Sequence, residues 1–296
     1  MGLNVAVETR RRRWWPVVVG AGVVLALIGY LAARYIQSNL VEQCTAHGTD
    51  GASVRLGPDQ AANAATISAV ATARGLPEHA VTIALATAMQ ESKLRDIDYG
   101  DRDSLGLFQQ RPSQGWGTPA QVLDPVHASA RFYDALVKIP DYLSLPVTVA
   151  AQKVQHSDYP QAYAGHEGDA AALAAALAGR EGAAVSCQVR GVGTPDSAQS
   201  GESAVAAEIQ RQFGRHFATD LAAPAPSDLA YTATDTTTGW ALALWLVCHT
   251  VTLHITSVTF DGREWNSSSA DKGWISRTSP PGQTGEVLAR LAPAAR

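Results

Sequence analysis

Four consecutive arginines, Arg10 to Arg13, stand immediately before an uncharged run from Trp14 to Ala33. As a helix, about 20 residues rise roughly 30 Å, the thickness of the hydrocarbon core of a bilayer. Trp14, Trp15 and Tyr35 fall where aromatic side chains anchor at the two membrane interfaces, and the arginines hold the N-terminus in the cytoplasm. The sequence therefore predicts a basic cytoplasmic tail over 1–13, a transmembrane anchor over 14–35, and everything after about residue 36 beyond the membrane. A cleaved secretory signal or a twin-arginine signal is the competing reading. The apolar run exceeds a usual signal core and no clean small-x-small site follows it. Both readings export the rest of the chain, to a membrane-anchored or a secreted location.

The rest is globular in character. Hydrophobic residues make up 46% of the chain and charged residues 17%, which is not the composition of a disordered segment. The net charge is -4 and no basic stretch lies beyond the N-terminus, so there is no electrostatic footprint for nucleic acid. The three cysteines fit export. Cys44 lies just after the anchor and Cys187 just after the helical region, and these two are the preferred disulfide pair. Cys248, within Leu244–Trp245–Leu246–Val247–Cys248, reads as a buried thiol.

Hydrophobic periodicity divides the chain further. Residues 36–57 read as a polar stalk. Ala62, Ala65, Ile67, Val70 and Ala73 recur at helical spacing between Asp59 and Arg74, and Gly75 and Pro77 end that helix. Pro77 opens a second helix toward Leu94. Residues 95–121, rich in Gly, Asp, Ser and Pro, should be largely irregular. Asp124–Pro125 is an N-cap followed by a helix-starting proline, Pro146 starts a further helix, and Glu167 to Leu177 forms an Ala-rich one. Residues 58–187 thus form a mainly α domain. A linker over 188–203 leads to a small α/β domain over 204–296, with helices near Ser203–Phe213 and Thr238–His249 and a hairpin turning at Asp261–Gly262.

Glu91 follows eleven residues without a side-chain charge, Ala80 to Gln90, near the end of the second helix. A carboxyl in such a setting is partly desolvated, which favours its protonated form. Cleavage of a glycosidic bond needs such an acid, because the leaving oxygen must gain a proton as the bond breaks. A solvated Glu in the last turn of an amphipathic helix is the plainer reading of the helix alone.

The surroundings sharpen the choice. Glu91–Ser92 is followed by Ser104–Leu105–Gly106–Leu107–Phe108–Gln109–Gln110, with Gly106 about fifteen positions after Glu91. This pattern resembles the soluble-lytic-transglycosylase and goose-type-lysozyme-like superfamily over residues 58–180. Its first motif is Glu-Ser at a helix end, and its second is Gly-Leu-hydrophobic-Gln at this interval. The resemblance implies a lysozyme-like fold that cuts the β-1,4 bond between N-acetylmuramic acid and N-acetylglucosamine in peptidoglycan. Glu91 would be general acid and then base, drawing the proton from the muramic C6 hydroxyl to leave a 1,6-anhydro product. Ser92 would steady the carboxyl. Gly106 would let backbone approach the sugar chain, and Gln109 and Gln110 would line the glycan cleft. The family's third motif, Ala-Tyr-Asn, is where the sequence departs: Ala150–Ala151–Gln152 stand there, and Tyr163 is the candidate to supply the phenol from a neighbouring turn.

Other signals are weaker. Asp96, Asp98, Asp101 and Asp103 could offer a second carboxylate, but Gly100, Asp101 and Leu107 break the EF-hand pattern, and a solvated turn is the plainer reading. The eight histidines show no metal spacing, His166–Glu167 lacks a second His at Ala170, and no cofactor is implied. Trp116 and Tyr133 are candidate cleft walls, with Tyr133 the more core-like. Gly239–Trp240, Trp245, Asp261–Gly262–Arg263, Trp265 and Gly273–Trp274 resemble a small domain of exported proteins from GC-rich Gram-positive bacteria. It reads as structural or as the contact for a wall or envelope protein. Three functions stay open: a lytic transglycosylase, a hydrolytic muramidase, and a silent glycan-binding scaffold with the same fold.

Overall fold

The computed structural model describes residues 15–38, 42–49, 51–157, 161–195, 198–215, 217–220, 228–277 and 285–294. Residues 1–41 and 42–296 form two separate units. The first contains α1, Trp15–Ser38, a helix of 24 residues over the span where an anchor was expected. Among the described residues, no helix is long and apolar enough to cross a membrane. The transmembrane assignment is therefore not supported by the structure. What α1 does present is a row of exposed Val, Leu and Ile side chains between Val18 and Leu31. The basic tail lies outside the described residues.

The second unit starts inside the expected stalk. Strands β1 (Gln43–His47) and β2 (Ser53–Leu56) pair antiparallel. Alternating side chains, Cys44, Ala46, Val54 and Leu56, turn inward from this pair, the period-two pattern of a half-buried ribbon. A third strand, β3 (Val185–Gln188), joins the other side of β1, giving the order β2-β1-β3.

The helices follow the sequence signals closely. Pro58 opens α2 (Pro58–Ala73), and α3 runs Glu78–Ser92. The short α4 (Pro119–Val122) begins within the otherwise irregular 95–121. Asp124 caps α5 (Pro125–Leu136), its Oδ1 accepting the Val126 amide at 3.1 Å. After α6 (Val147–Gln155), a 3-10 turn over Ala162–His166 leads directly into α7 (Glu167–Leu177). In α3 every residue from Ala80 to Met89 is buried. Its alanines allow close approach by α7, and its two buried threonines satisfy themselves on the Glu78 and Ile83 carbonyls of their own helix.

The C-terminal region contains α8 (Ala198–Phe213) and α9 (Thr236–Cys248). Its antiparallel sheet is larger than the predicted hairpin. In chain order the strands are β4 (Ala218–Asp220), β5 (Asp228–Thr232), β6 (Ile255–Phe260), β7 (Arg263–Asn266), β8 (Ile275–Ser276) and β9 (Glu286–Leu291), arranged β4-β5-β9-β6-β7-β8. The hairpin at Asp261–Gly262 joins β6 to β7 as predicted. The expected linker is partly helix, since α8 begins at Ala198. The core also runs across it. Helix α2 is alanine-rich on nearly every face and is covered by α5 on one side and by α8 and α9 on another. His249 at the end of α9 is buried against the Trp245 ring, with Thr66 of α2 at 3.4 Å.

The disulfide pairs Cys44 with Cys187, which stand directly opposite each other on β1 and β3. It joins the start and end of the helical region across a separation of 143 residues. Cys248 is the free thiol among the described residues, and burial pushes it up to about 12, so it is inert at neutral pH. Closing so long a loop reduces the entropy of the unfolded chain by roughly 5 kcal/mol at most. Replacing both bridge cysteines by alanine should destabilise the unit by about 2–5 kcal/mol in urea unfolding, and reductant should shift the wild type but not the double variant.

Candidate functional site

Glu91 is where the buried helix α3 comes to the surface. Ten buried residues precede it, Gln90 beside it is exposed, and Glu91 itself is half-buried on a cleft of about 920 Å³. Directly after it the chain must turn sharply. Lys93 and Leu94 adopt left-handed backbone, with φ of 56° and 58°. Two consecutive non-glycine residues in that region are costly and persist only when held from outside. Helix α2 does the holding: Gln60 Nε2 donates to the Lys93 carbonyl at 2.7 Å and Asn63 Nδ2 to the Leu94 carbonyl at 2.8 Å. Leu94 is buried beneath the turn.

The Tyr163 hydroxyl donates to Glu91 Oε1 at 2.7 Å. Burial, and then the hydrogen bond to Glu91, push the Tyr163 pKa up, so it stays a phenol and a donor. The Ser157 side chain hydrogen-bonds the same phenolic oxygen. Gln152 Nε2 donates to the Ser157 carbonyl at 2.7 Å. Gln152 and Tyr163 therefore belong to one chain of contacts that ends on the Glu91 carboxyl, with Tyr163 in contact with it and Gln152 two steps behind.

Ser92 does not touch Glu91. Its buried hydroxyl donates to the Leu107 carbonyl at 2.8 Å, with the Ala88 carbonyl at 3.0 Å, and accepts the Arg95 amide at 3.2 Å. It binds the second motif to the end of α3 and positions Glu91 through the backbone. Gly106 also has an internal role. A Cβ there would lie 2.4 Å from the Val122 carbonyl oxygen, and φ is +72°, so the close approach that requires glycine is to α4 and not to the open cleft.

Gln109 lines the cleft, in left-handed backbone with φ of 48°. Its side chain lies over Gly100, where a Cβ would come within 2.0 Å of Oε1. Nε2 makes only long contacts, 3.3 Å to the Tyr99 carbonyl and 3.4 Å to that of Gly106, which a ligand can replace. Gln110 also borders the cleft but is buried, and its Nε2 donates to the Ala128 carbonyl of α5 at 3.1 Å. Trp116 lines the cleft, whereas Tyr133 is core and donates to the Ile67 carbonyl.

The acidic loop divides by role. Asp103 ties the loop together, accepting from Arg111 Nε at 2.9 Å, the Ser113 amide at 2.8 Å and the Ser113 hydroxyl at 3.0 Å. Those donors hold it well below the usual carboxylate range. Asp96 behaves oppositely. Although the residue reaches solvent, its Oδ1 points at the tight Gly106 turn, and partial burial with repulsion from Asp124 and Asp98 pushes it up to about 6. Neither carboxylate lines the cleft. Among the described residues no cluster of three or more His, Cys, Asp or Glu could hold a metal.

Sequence reading missed Ser157, because nothing in a local pattern brings it to Tyr163. It also missed Gly100, although a glycine inside an acidic turn is a legible signal of close packing. No protein-family model matches the chain, and no curated protein is significantly similar to it.

The raised Asp96 has a definite sign. Between pH 4 and 6 the folded chain binds the proton more tightly than the unfolded chain, so this group's contribution to stability is present below about pH 4 and lost as pH rises through about 6. Asp96→Asn should therefore stabilise the protein at pH 8, by about 1 kcal/mol after solvent screening, or a Tm rise of roughly 2–4 °C. The gain should vanish at pH 4; an equal Tm shift at both pH values would contradict it.

Proposed function

We propose that the protein cleaves the glycan strands of peptidoglycan outside the cytoplasm, as a lytic transglycosylase with Glu91 as its single catalytic carboxyl. The observation that carries this reading is the Tyr163 hydroxyl on Glu91 Oε1, at the point where a buried helix opens onto a long cleft. One carboxyl oxygen is fixed by the phenol, and the other is the group available to a ligand. The lysozyme-like family resemblance rests on the Glu91–Ser92 and Gly106–Gln109 motifs, which the Ser92–Leu107 hydrogen bond joins.

In this reading the strand lies along the cleft with the scissile oxygen at Glu91. Glu91 gives its proton to that oxygen as the glycosidic bond breaks, and Tyr163 stabilises the carboxylate that results. The carboxylate then takes the proton from the muramic C6 hydroxyl, which closes on the anomeric carbon. Gln109 exchanges its long backbone contacts for groups of the sugar. Two other carboxylates border the cleft, and neither is suited to a two-carboxylate hydrolysis. Asp134 is bound by Arg74 and Arg131, and the Asp101 side chain is 92% exposed. A single carboxyl that serves as acid and then as base is compatible with attack by the substrate's own hydroxyl, which needs no second carboxylate.

The Cys44–Cys187 disulfide supports an oxidising compartment. Arg10 to Arg13 before the apolar run Trp14–Ala33 supports attachment to the cell membrane with the N-terminus inside. The C-terminal sheet region is read as the contact for a wall or envelope protein.

Digestion of purified sacculi, with products resolved by mass spectrometry, tests the reading. Anhydro-muramic ends are expected. Reducing ends would make the protein a hydrolytic muramidase, and the absence of any product would leave a glycan-binding scaffold.

A further inference from the structure

The cleft has the opposite charge to the chain. The protein carries a net charge of -4, yet five Arg and Lys side chains border the cleft against three carboxylates. The arginines are largely engaged. Arg111 is held by Asp103 at 2.9 Å, Arg131 by Asp134 at 3.5 Å, and Arg102 faces Asp101 at 3.8 Å. Lys138 and Lys153 differ: both are exposed, and neither forms an ion pair among the described residues. Lys138 follows the end of α5 and Lys153 stands in the last turn of α6, two helices that pack together, and both residues line the same cleft.

An N-acetylated sugar backbone is neutral and offers such a wall hydrogen-bond acceptors but no opposite charge. The charges on a peptidoglycan strand are its substituents: the lactyl carboxyl where it is free, and the carboxylates of a peptide stem where one is attached. We propose that Lys138 and Lys153 form a carboxylate-binding wall that selects glycan strands by their acidic substituents. This rests on the glycan-cleaving reading for the identity of the polymer, though not for the existence of the anion site. An ammonium is a point charge without the fixed fork of a guanidinium, so it suits carboxylates whose position along a flexible stem varies. Opposite charge across a cleft acts chiefly on encounter and specificity, and it weakens with salt.

The test measures binding of the full chain carrying Glu91→Gln, so that bound strands are not cut. Three soluble probes are used: peptide-bearing strands, amidase-treated strands that keep only the lactyl carboxyl, and peptide-bearing strands whose carboxyls have been converted to amides. Amidation should weaken binding about tenfold at low salt, the scale of two exposed ion pairs. Lys138→Gln/Lys153→Gln should remove that difference, and Lys138→Arg/Lys153→Arg should restore most of it. Stronger binding of peptide-bearing than of amidase-treated strands assigns the anion to the stem, stronger binding of amidase-treated strands assigns it to the free lactyl carboxyl, and equal binding means that the wall takes either carboxylate. Equal binding of all three probes, or a glutamine variant that still discriminates among them, overturns the proposal. If wild-type protein cuts nothing while lysine-dependent binding persists, the glycan-cleaving reading fails and the carboxylate wall stands. If no probe binds, both fail.

Discussion

The structure is organised by the burial of α3. A helix buried from Ala80 to Met89 offers no polar face to solvent and must be enclosed by other helices. α2, α5, α6 and α7 all lie against it, and the cleft opens where that enclosure ends. The first side chains to emerge are Gln90 and Glu91. The position of the carboxyl is therefore set by the packing of the whole helical region. The loops around it serve to fix the turn at Lys93–Leu94 and to tie the second motif to the helix end through Ser92.

The C-terminal region supports the same cleft from behind. Arg211 of α8 binds both carboxyl oxygens of Asp124, at 2.7 and 2.9 Å, and Glu208 holds the same guanidinium. Asp124 is the cap of α5, and α5 carries Arg131 and Asp134 on the cleft wall. Gln212, next along α8, accepts from the buried Trp245 indole at 2.7 Å and donates to Glu208 at 3.0 Å. One polar chain thus runs from the core of α9 to the helix that forms the cleft wall. The disulfide closes the helical region on itself, where β1 and β3 bring its two ends together.

Much of this was legible from local pattern. The caps and prolines located α2, α5 and α6 to within a residue or two, because those signals act on the backbone within one turn. The meeting of the Glu91–Ser92 helix end with the Ser104–Gln110 segment was legible from residue type and spacing. The three-stranded sheet was not, since β1 and β2 are short and polar on one face and find their partner β3 more than a hundred residues on. The continuity of the core across 188–203 was also hidden, because the apolar faces of α2 show that it is buried but not by which helices. The role of Tyr163 lay between these cases. A missing phenol in the third motif pointed to it, but its hydrogen bond depends on a 3-10 turn whose course no periodicity reveals.

The central claim is that this packing delivers one proton donor, Glu91, to the glycan. The most direct measurement is the turnover of soluble peptidoglycan strands by Glu91→Gln, with its fold checked by circular dichroism. Glutamine keeps the shape and still accepts the Tyr163 hydrogen bond but has no proton to give. Turnover should fall by about 10²- to 10⁴-fold with the fold unchanged. Full turnover by the folded variant would contradict the assignment.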